Sequence, residues 1–215
     1  MMNILILANG NYGDIQWYRQ RIASFTKVIC ADGGTRMACL LGLVPDLVVG
    51  DMDSTDSRDR ITLEGAGARF IIYPKEKDLT DIQIAFEHAL SLQATSVTVW
   101  GGTGSRLDHT LSTIVNAFHL TRKNIEVCLD SPEVTIHLIG KSLKLSGKPG
   151  DIVSLIVFGD SAQGVTLQGF HYPLSNAVIE GSWQFGVSNI MTGENALIEV
   201  NKGRSAVFHY HIPPE

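Results

Sequence analysis

The sequence is poor in cysteine, with only three among its 215 residues: Cys30, Cys39 and Cys128. The number is odd and no two are spaced as C-x-x-C, so the pattern favours neither a disulfide framework nor a zinc site. Such sparing use of cysteine is typical of a reducing compartment. We therefore expect a cytoplasmic protein.

An excess of positive charge is also lacking. Lysine and arginine together number 17 against 22 aspartates and glutamates, which gives a formal net charge of -5. This balance argues against a nucleic-acid-binding protein that relies on a broad basic surface. We expect no nucleic-acid partner.

Long apolar runs are missing as well. No run approaches the roughly 20 apolar residues that a membrane-spanning helix needs. The first ten residues, MMNILILANG, lack the basic lead and the long apolar centre of a secretory signal. We therefore expect no membrane partner, although a hydrophobic fraction of 44% is enough to build a buried core.

Short apolar runs and helix-like segments alternate along the first part of the chain. Six runs predict β-strands: residues 3–8, 27–31, 46–50, 69–73, 96–100 and 125–129. The clearest helix is predicted over residues 81–92, with Ile82, Phe86, Ala89 and Leu90 on one face. Continuous apolar strands separated by helices predict an α/β domain whose mostly parallel sheet has helices on both faces.

The second part of the chain has a different character. After Asp130 come short β-rich runs at residues 133–140, 143–145, 151–159, 164–170, 185–191, 196–203 and 205–212, punctuated by Gly, Pro, Asn and Ser. This pattern predicts an antiparallel sandwich or barrel. We place the boundary near residues 131–145, with an α/β domain at 1–135 and an all-β sandwich domain at 136–215.

Polar residues follow five of the predicted parallel strands. The segments are NGNYGD (9–14), DGGTR (32–36), DMDSTD (51–56), PKEKDLTD (74–81) and GGTGSRLDH (101–109). Each alone is an ordinary loop, because Gly, Asp and Asn dominate turns for conformational reasons. In open parallel sheets, however, ligands bind beyond the carboxyl ends of the strands. The five loops together therefore predict a site at that edge.

Asp51 and Asp53 are the first candidates for a metal site. If the strand continued through them, two residues apart, their side chains would point to the same side. Two adjacent carboxylates need a counter-charge, and Mg²⁺ with nucleotide phosphates is a common one. The alternative is an Asp-rich turn in which Asp53 or Ser54 caps the next helix.

Two other motifs resemble this stretch. An EF-hand loop needs Gly at its sixth position and Glu at its twelfth, but counting from Asp51 these are Asp56 and Thr62. The stretch DMDST also fits the D-x-D-x-T motif of haloacid-dehalogenase-type phosphatases, with Asp51 as the nucleophile and Asp53 as the acid–base. The phosphatase is the runner-up, although that motif usually follows a first strand and here it follows the third.

Asp78 and Asp81 form a second acidic pair. At a spacing of three they meet on one helix face. Taken alone, the pair fits a helix start, since Asp78 is a good N-cap and Asp81 suits the helix dipole. Four carboxylates on one edge, however, are hard to neutralise without a metal. Asp56, which lies outside the motif, is expected to be a solvated residue near the next helix.

The loop at 101–109 predicts a phosphate site. Gly101, Gly102 and Gly104 allow the backbone N–H groups to turn toward an anion, and Arg106 adds a bidentate donor. A helix predicted to start near Asp108 would present its N-terminus to phosphate. For the segment at 31–36 the reasoning is the same, with Gly33, Gly34 and Arg36. Tight turns and solvated arginines are the alternatives.

In their order along the chain, these motifs resemble the thiamin pyrophosphokinase family. The resemblance rests on ADGG, GLVPDLVVGDMDS, KDLTD and GGTGSRLDHTLS in the first part, and on GFHYPL (169–174) and GVSN (186–189) in the second. It covers nearly the whole chain. Each motif is modest, but the ordered set is specific.

The resemblance implies an enzyme that transfers the pyrophosphoryl group of ATP to the hydroxyl of thiamin, with AMP released. It implies an ATP- and Mg²⁺-binding N-terminal domain, a β-sandwich that binds thiamin and dimerises, and a homodimer with thiamin between subunits. The catalytic and metal-site residues would be Asp51, Asp53, Asp78 and Asp81. The nucleotide site would comprise Asp32, Gly33, Gly34, Gly101, Gly102, Gly104, Arg106, Asp108 and His109. Ser188 and Asn189 would lie in the segment that lines the thiamin pocket.

Four positions depart from the family pattern. Arg36 and Thr113 stand where Asn is common, Ser105 where a second Gly is common, and Ile190 where an acidic residue commonly follows the Ser-Asn pair. These departures bear on nucleotide-base contacts and thiamin affinity and leave the metal site intact. A nucleotide- or thiamin-binding protein without catalysis is a further alternative, but it would not need four carboxylates at one edge.

Overall fold

The computed structural model describes residues 1–211, which form two compact units. The first unit comprises Met1–Leu120 and Ile125–Ser131, and the second comprises Thr121–Asn124 and the chain from Pro132 onward. The division at residues 135 and 136 stays a prediction. Ile212, the predicted end of the last β-rich run, lies outside the described residues, as do residues 213–215 of the predicted second domain.

The first unit contains a parallel sheet. Its strands are β1 (Asn3–Leu7), β2 (Lys27–Ala31), β3 (Leu47–Gly50), β4 (Arg69–Ile72), β5 (Ser96–Trp100) and β6 (Glu126–Asp130). They pair in the order β6-β5-β1-β2-β3-β4, and every pairing is parallel. All six predicted strands are therefore confirmed, with ends within one residue of the prediction.

Helices follow the strands. They are α1 (Ile15–Arg19), α2 (Thr35–Leu41), α3 (Ser57–Gly65), α4 (Asp81–Ser91) and α5 (Leu107–Thr121), with short 3-10 turns at Ile22–Ser24 and Asp32–Gly34. Within residues 1–211, no helix is long and apolar enough to cross a membrane. The helix predicted over 81–92 is confirmed as α4. It is capped by Thr80 in a capping box with Gln83, so Asp78 is not its N-cap.

Both faces of the sheet are covered. Leu5 and Leu7 belong to a buried cluster with Tyr18 and Trp100. Successive residues of a strand point to opposite faces, and the intervening Ile6 is also fully buried. The α/β architecture predicted from continuous apolar strands is thereby confirmed. On α4 the buried face is centred on Ile84, Ala85, Phe86 and Ala89, whereas Ile82 and Leu90 are only half-buried.

The second unit contains two antiparallel sheets. Its strands are β7 (Val134–Ile139), β8 (Ser142–Ser146), β9 (Ile152–Val157), β10 (Ser161–Gln168), β11 (Leu174–Glu180), β12 (Asn189–Ile190), β13 (Asn195–Glu199) and β14 (Ser205–Tyr210). One sheet has the order β12-β9-β14-β7 and the other β11-β10-β13-β8. Apolar residues from both sheets, such as Leu155, Val207, Val165 and Ile198, form one core. The predicted β-sandwich is confirmed.

Two details of this unit were predicted wrongly. Strand β11 was missed because its sequence LSNAVIE does not alternate cleanly: Asn176 has a φ of +50° and the pairing with β10 shifts register twice. It lies at the edge of its sheet, so its outward residues stay exposed. The run at 185–191, by contrast, is strand only at Asn189–Ile190.

Asp56 is not simply solvated, because it is the N-cap of α3 and accepts a hydrogen bond from Arg58 N at 2.8 Å. Replacing it with Ala removes that acceptor, and we expect Asp56→Ala to lower the free energy of unfolding by about 1 kcal/mol. Urea denaturation measures this change. Asp56→Asn, which keeps a capping side chain, should stay within a few tenths of a kcal/mol of the unmodified protein. Equal losses in both variants would contradict the capping role.

Candidate active site

A cavity of about 420 Å³ lies in the first unit, lined mainly by residues 8–11, 31–33, 80–82, 101–106, 109–110 and 112–113. These segments follow β1, β2 and β5 or belong to the starts of α4 and α5. The strand order reverses between β5 and β1, so loops leave the sheet in opposite directions at that point. Such switch points are where open α/β sheets bind ligands.

A tyrosine that the sequence analysis did not single out holds this edge together. The Tyr12 hydroxyl lies 2.8 Å from the carbonyl oxygen of Ala8 and 3.0 Å from that of Trp100, so its proton is shared between the ends of β1 and β5. Asn11 N also donates to Thr103 O at 2.8 Å. Gly101 has a φ of +67° and packs against the Tyr12 ring, where a side chain has no room. The glycine loop is thus anchored on both sides.

Three carboxylates converge beside this cavity. Oxygens of Asp32, Asp51 and Asp53 all lie within 4.8 Å of one another. Asp32 is buried on the 3-10 turn after β2, with a φ of +40° that a non-glycine residue rarely adopts. Its two oxygens accept from Ser54 N at 3.1 Å and from the Thr55 hydroxyl at 2.8 Å. Asp32 therefore anchors the loop that carries the other two carboxylates.

Asp51 and Asp53 converge through a turn rather than a strand. Strand β3 ends at Gly50, and Met52, between the two aspartates, has a φ of +65°. Asp53 N donates back to Asp51 Oδ1 at 3.2 Å. The left-handed conformation of Met52 brings both carboxylates to the same side. The sequence pattern predicted this convergence, but from strand alternation.

Gly50 makes room for this arrangement. Its φ is +144°, and a Cβ there would lie 2.9 Å from Asp32 Cβ and 3.1 Å from Asp81 Cγ. The glycine directly before Asp51 therefore lets Asp32, from the turn after β2, and Asp81, from the start of α4, approach the end of β3.

Two lysines that the sequence analysis overlooked supply counter-charge. Lys77 Nζ lies 3.0 Å from Asp51 Oδ2 and 3.2 Å from Asp81 Oδ1, and Lys75 Nζ lies 3.1 Å from Asp53 Oδ2. The inference that the carboxylates are hard to neutralise without a metal is therefore too strong. Both lysines were visible in the segment PKEKDLTD, as was Asp81, but Asp51 and Asp53 lie on another loop.

Burial and ion pairing shift the pKa values of these groups in different directions. The hydrogen bond from Lys77 holds the pKa of Asp51 below its ordinary value. Burial raises the pKa of Asp81, and the Lys77 ammonium only partly offsets this. Burial alone would lower the pKa of Lys77, but its hydrogen bond to Asp51 and the negative charges of Asp51 and Asp81 raise it. Asp51 is therefore the firmly ionised member and Asp81 the more basic one.

Asp78 and Asp81 have different surroundings. Asp78 is exposed and does not belong to the converging group of carboxylates. Asp81 is the first residue of α4, and its Oδ1 is a buried acceptor that receives no hydrogen bond among the described residues. Lys77 is near this oxygen but is not directed at it as a donor.

The carboxylates fit a hard divalent cation. Mg²⁺ takes oxygen ligands at about 2.1 Å, so two ligands on opposite sides of the ion lie about 4.2 Å apart. Asp32, Asp51 and Asp53 are already within 4.8 Å of one another. The orphaned Asp81 Oδ1 adds an acceptor on the same side as Asp51. The donor set is all oxygen, as magnesium prefers.

Most of the residues assigned by resemblance to a nucleotide site line the cavity: Asp32, Gly33, Gly101, Gly102, Gly104, Arg106 and His109. Gly34 is not in the lining and packs against the Leu7 carbonyl instead. Asp108 is also outside the lining and pairs with Arg106 at 2.5 Å, with both side chains mostly exposed. Asn9 and Asn11, which line the cavity, were missed as individual candidates.

Ser188 and Asn189 lie in the second unit. Ser188 is exposed and has a φ of +55°. Asn189 is buried, and its amide brackets the backbone of Tyr172: Oδ1 accepts from Tyr172 N at 3.0 Å, and Nδ2 donates to Tyr172 O at 2.8 Å. Asn189 therefore positions the segment around Tyr172, and Ser188 is the exposed member of the pair.

Two family models match the chain. The thiamin pyrophosphokinase catalytic domain matches residues 18–129, and the thiamin pyrophosphokinase vitamin B1 binding domain matches residues 137–204. The chain belongs to the thiamin pyrophosphokinase family. The family predicted from the order of the motifs is confirmed, and with it the assignment as an enzyme, a thiamin diphosphokinase.

Individual thiamin pyrophosphokinases are similar over nearly the whole chain. The thiamine pyrophosphokinase of Bacillus subtilis (strain 168) is 29% identical over 205 residues, which is 94% of this chain and 96% of the relative. A crystal structure from Bacillus subtilis has a TM-score of 0.86 at 26% identity and covers 98% of this chain and 100% of its own. One from Geobacillus thermodenitrificans has a TM-score of 0.80 at 26% identity, with 97% of each chain covered. The phosphatase and the non-catalytic binder are not favoured.

The close approach at Gly50 gives a stability prediction. We expect Gly50→Ala to lower the free energy of unfolding by about 1–3 kcal/mol, because the backbone conformation is strained for alanine and the neighbouring aspartates cannot both move. Urea denaturation is again the measurement. Gly65→Ala is the matched control, since a Cβ there would meet no atom of the described residues within 4 Å apart from its chain neighbours and its own helix backbone, and it should leave stability unchanged or raise it slightly. If the Gly50→Ala protein were as stable as the Gly65→Ala protein, the close packing inferred around Gly50 would be refuted.

Proposed function

We propose that this member of the thiamin pyrophosphokinase family transfers the pyrophosphoryl group of ATP to the hydroxyl of thiamin and releases AMP. The observation that carries the proposal is the convergence of Asp32, Asp51 and Asp53 beside the glycine-lined cavity. Carboxylates that hold a cation, next to backbone N–H groups that hold phosphates, are what phosphoryl transfer requires.

Residues of the first unit would hold Mg²⁺. Asp51 and Asp53 are the carboxylates proposed from the motif, Asp32 joins them through its proximity, and Asp81 contributes its orphaned oxygen. The proposed role of Asp78 in the metal site rests on the family resemblance alone. When bound, Mg²⁺ neutralises phosphate charge and stabilises the departing α-phosphate.

The glycine loop and the start of α5 would hold the phosphate chain. Gly101, Gly102 and Gly104 line the cavity, where backbone N–H groups can donate to phosphate oxygens. Arg106 lies just before α5 and supplies a bidentate donor. The N-terminus of this helix of 15 residues adds a favourable dipole. To bind phosphate, Arg106 would have to give up its ion pair with Asp108. Both side chains are mostly exposed to solvent, which permits this exchange.

The reaction requires positioning more than covalent chemistry. The primary alcohol of thiamin attacks the β-phosphorus of ATP, the bond to the bridging oxygen breaks, and AMP leaves. The alcohol proton needs an acceptor only as the new bond forms. Asp78 and Asp81 are the proposed carboxylates for this role.

The second unit would bind thiamin and form the dimer. Residues 136–215 are the proposed thiamin-binding and dimerisation domain, and residues 1–135 the ATP- and Mg²⁺-binding domain. Ser188 is exposed and free to contact a ligand, whereas Asn189 is committed to the Tyr172 backbone. We therefore propose that Ser188 contacts thiamin and that Asn189 positions the segment. The homodimer rests on the family resemblance, and the cytoplasmic location is supported by three free cysteines.

The products test the reaction directly. With ATP, Mg²⁺ and thiamin, the protein should form thiamin diphosphate and AMP in equal amounts, measured by chromatography of the reaction mixture. Omitting thiamin should abolish AMP release, which excludes simple ATP hydrolysis. Formation of ADP and thiamin monophosphate would contradict the pyrophosphoryl assignment.

Asp53 tests the carboxylate site. We expect Asp53→Asn to reduce Mg²⁺-dependent turnover by about a hundredfold or more, because a ligand charge is lost at the cation. Steady-state assays across Mg²⁺ concentrations measure the change. Asp56→Asn, three residues along and outside the carboxylate group, is the control and should stay within about twofold. Survival of Asp53→Asn activity within a few-fold would remove Asp53 from the metal site.

A further inference from the structure

Lys77 lies between two carboxylates of the active site. Its Nζ donates to Asp51 Oδ2 at 3.0 Å and is 3.2 Å from Asp81 Oδ1. Only 14% of its side chain is exposed, as is 13% of that of Asp51. Poorly solvated opposite charges attract each other more strongly than surface pairs do. The Lys77 ammonium is therefore a structural component of the carboxylate cluster.

The Lys77 ammonium occupies the position from which a divalent cation would contact both Asp51 and Asp81. Within residues 1–211, Asp81 Oδ1 is a buried acceptor without a hydrogen bond, and the nearby Lys77 is the positive charge that compensates it. Asp51 Oδ2 has Lys77 as its donor. A divalent cation that binds Asp51 and Asp81 through these two oxygens must share them with Lys77 or displace it.

We propose that Lys77 is an internal counter-ion that competes with the divalent cation for Asp51 and Asp81. This inference rests on the proposed function, in which those aspartates take part in holding Mg²⁺. In the free enzyme Lys77 keeps the repelling carboxylates together. Binding of the cation releases the ammonium, so the metal affinity of the free enzyme is lower than the carboxylates alone would give.

Lys75 provides a matched comparison in the same loop. It pairs with Asp53 at 3.1 Å, but its side chain is 78% exposed and that of Asp53 is 48% exposed. Solvent screens such a pair, and holding it costs side-chain entropy. Lys75 should therefore compete weakly with a cation, although it has the same charge and a carboxylate partner from the same motif.

The experiment is a titration of the nucleotide-free protein with Mn²⁺, followed by the electron paramagnetic resonance signal of free Mn²⁺. We expect Lys77→Met to bind Mn²⁺ at least about tenfold more tightly than the unmodified protein, because no ammonium must leave Asp51. Lys75→Met should change the affinity by less than about threefold. Lys77→Arg keeps the charge and should stay near the unmodified protein. Equal or weaker binding by Lys77→Met would overturn the inference.

A second measurement uses the unmodified protein, in case Lys77→Met does not fold. Acetylation of lysines by a trace of acetic anhydride, read by peptide mass spectrometry, should increase about threefold or more at Lys77 when Mg²⁺ is added, since a released amine is more exposed and loses its proton more readily. Acetylation at the exposed Lys75 should change little. An unchanged rate at Lys77 would overturn the inference.

Failure of this inference differs from failure of the proposed function. If unmodified protein and Lys77→Met bind Mn²⁺ equally, and thiamin diphosphate and AMP are still formed, only the competition by Lys77 is refuted. If neither protein binds Mn²⁺, with or without ATP, the metal-binding role of the carboxylates is refuted as well.

Discussion

Repulsion among carboxylates at one edge of the parallel sheet is the constraint on which the rest of the site depends. Two unit charges 4.8 Å apart, the limit for the oxygens of Asp32, Asp51 and Asp53, repel by roughly 3 kcal/mol at an effective dielectric constant near 20. The fold opposes this with hydrogen bonds from Ser54 and Thr55 to Asp32. The ammonium groups of the neighbouring loop add the remaining compensation.

The convergence of these carboxylates also explains the strained backbone around them. Asp32 and Met52 both have positive φ values, and Gly50 has a conformation that other residues rarely adopt. Strained backbone persists only where the surrounding structure enforces it, and it concentrates at functional sites. Here the strain brings side chains of separate loops to the end of β3, where Asp81 also lies. In the proposed function, this arrangement holds a cation and phosphates.

Much of this architecture could be predicted from the sequence. Continuous apolar runs gave the strands of the parallel sheet, and the rule that ligands bind beyond their carboxyl ends indicated which loops to compare. The sequence could not reveal that Lys75 pairs with Asp53 and Lys77 with Asp51, because those aspartates lie on another loop. Nor could it reveal that a left-handed Met52, rather than strand alternation, brings Asp51 and Asp53 together.

In the second unit, too, the sequence pattern predicts some features, whereas others depend on contacts with distant parts of the chain. Punctuated β-rich runs predicted the sandwich, but the interrupted alternation of β11 hid a strand that only the pairing with β10 reveals. Asn189 belongs to a segment that sequence resemblance places at the thiamin pocket. Its amide is nevertheless occupied by the backbone of Tyr172. This motif residue therefore holds the backbone of a neighbouring segment in place.

The central claim is that the carboxylates after β2 and β3 hold the cation of the ATP site. A crystal structure with Mn²⁺ and a non-hydrolysable ATP analogue, in which anomalous scattering locates the manganese, tests it most directly. The account predicts manganese bonded to carboxylate oxygens of Asp51 and Asp53, with the phosphates against the glycine loop at 101–104. Manganese held by phosphates alone, or by carboxylates elsewhere, would contradict it.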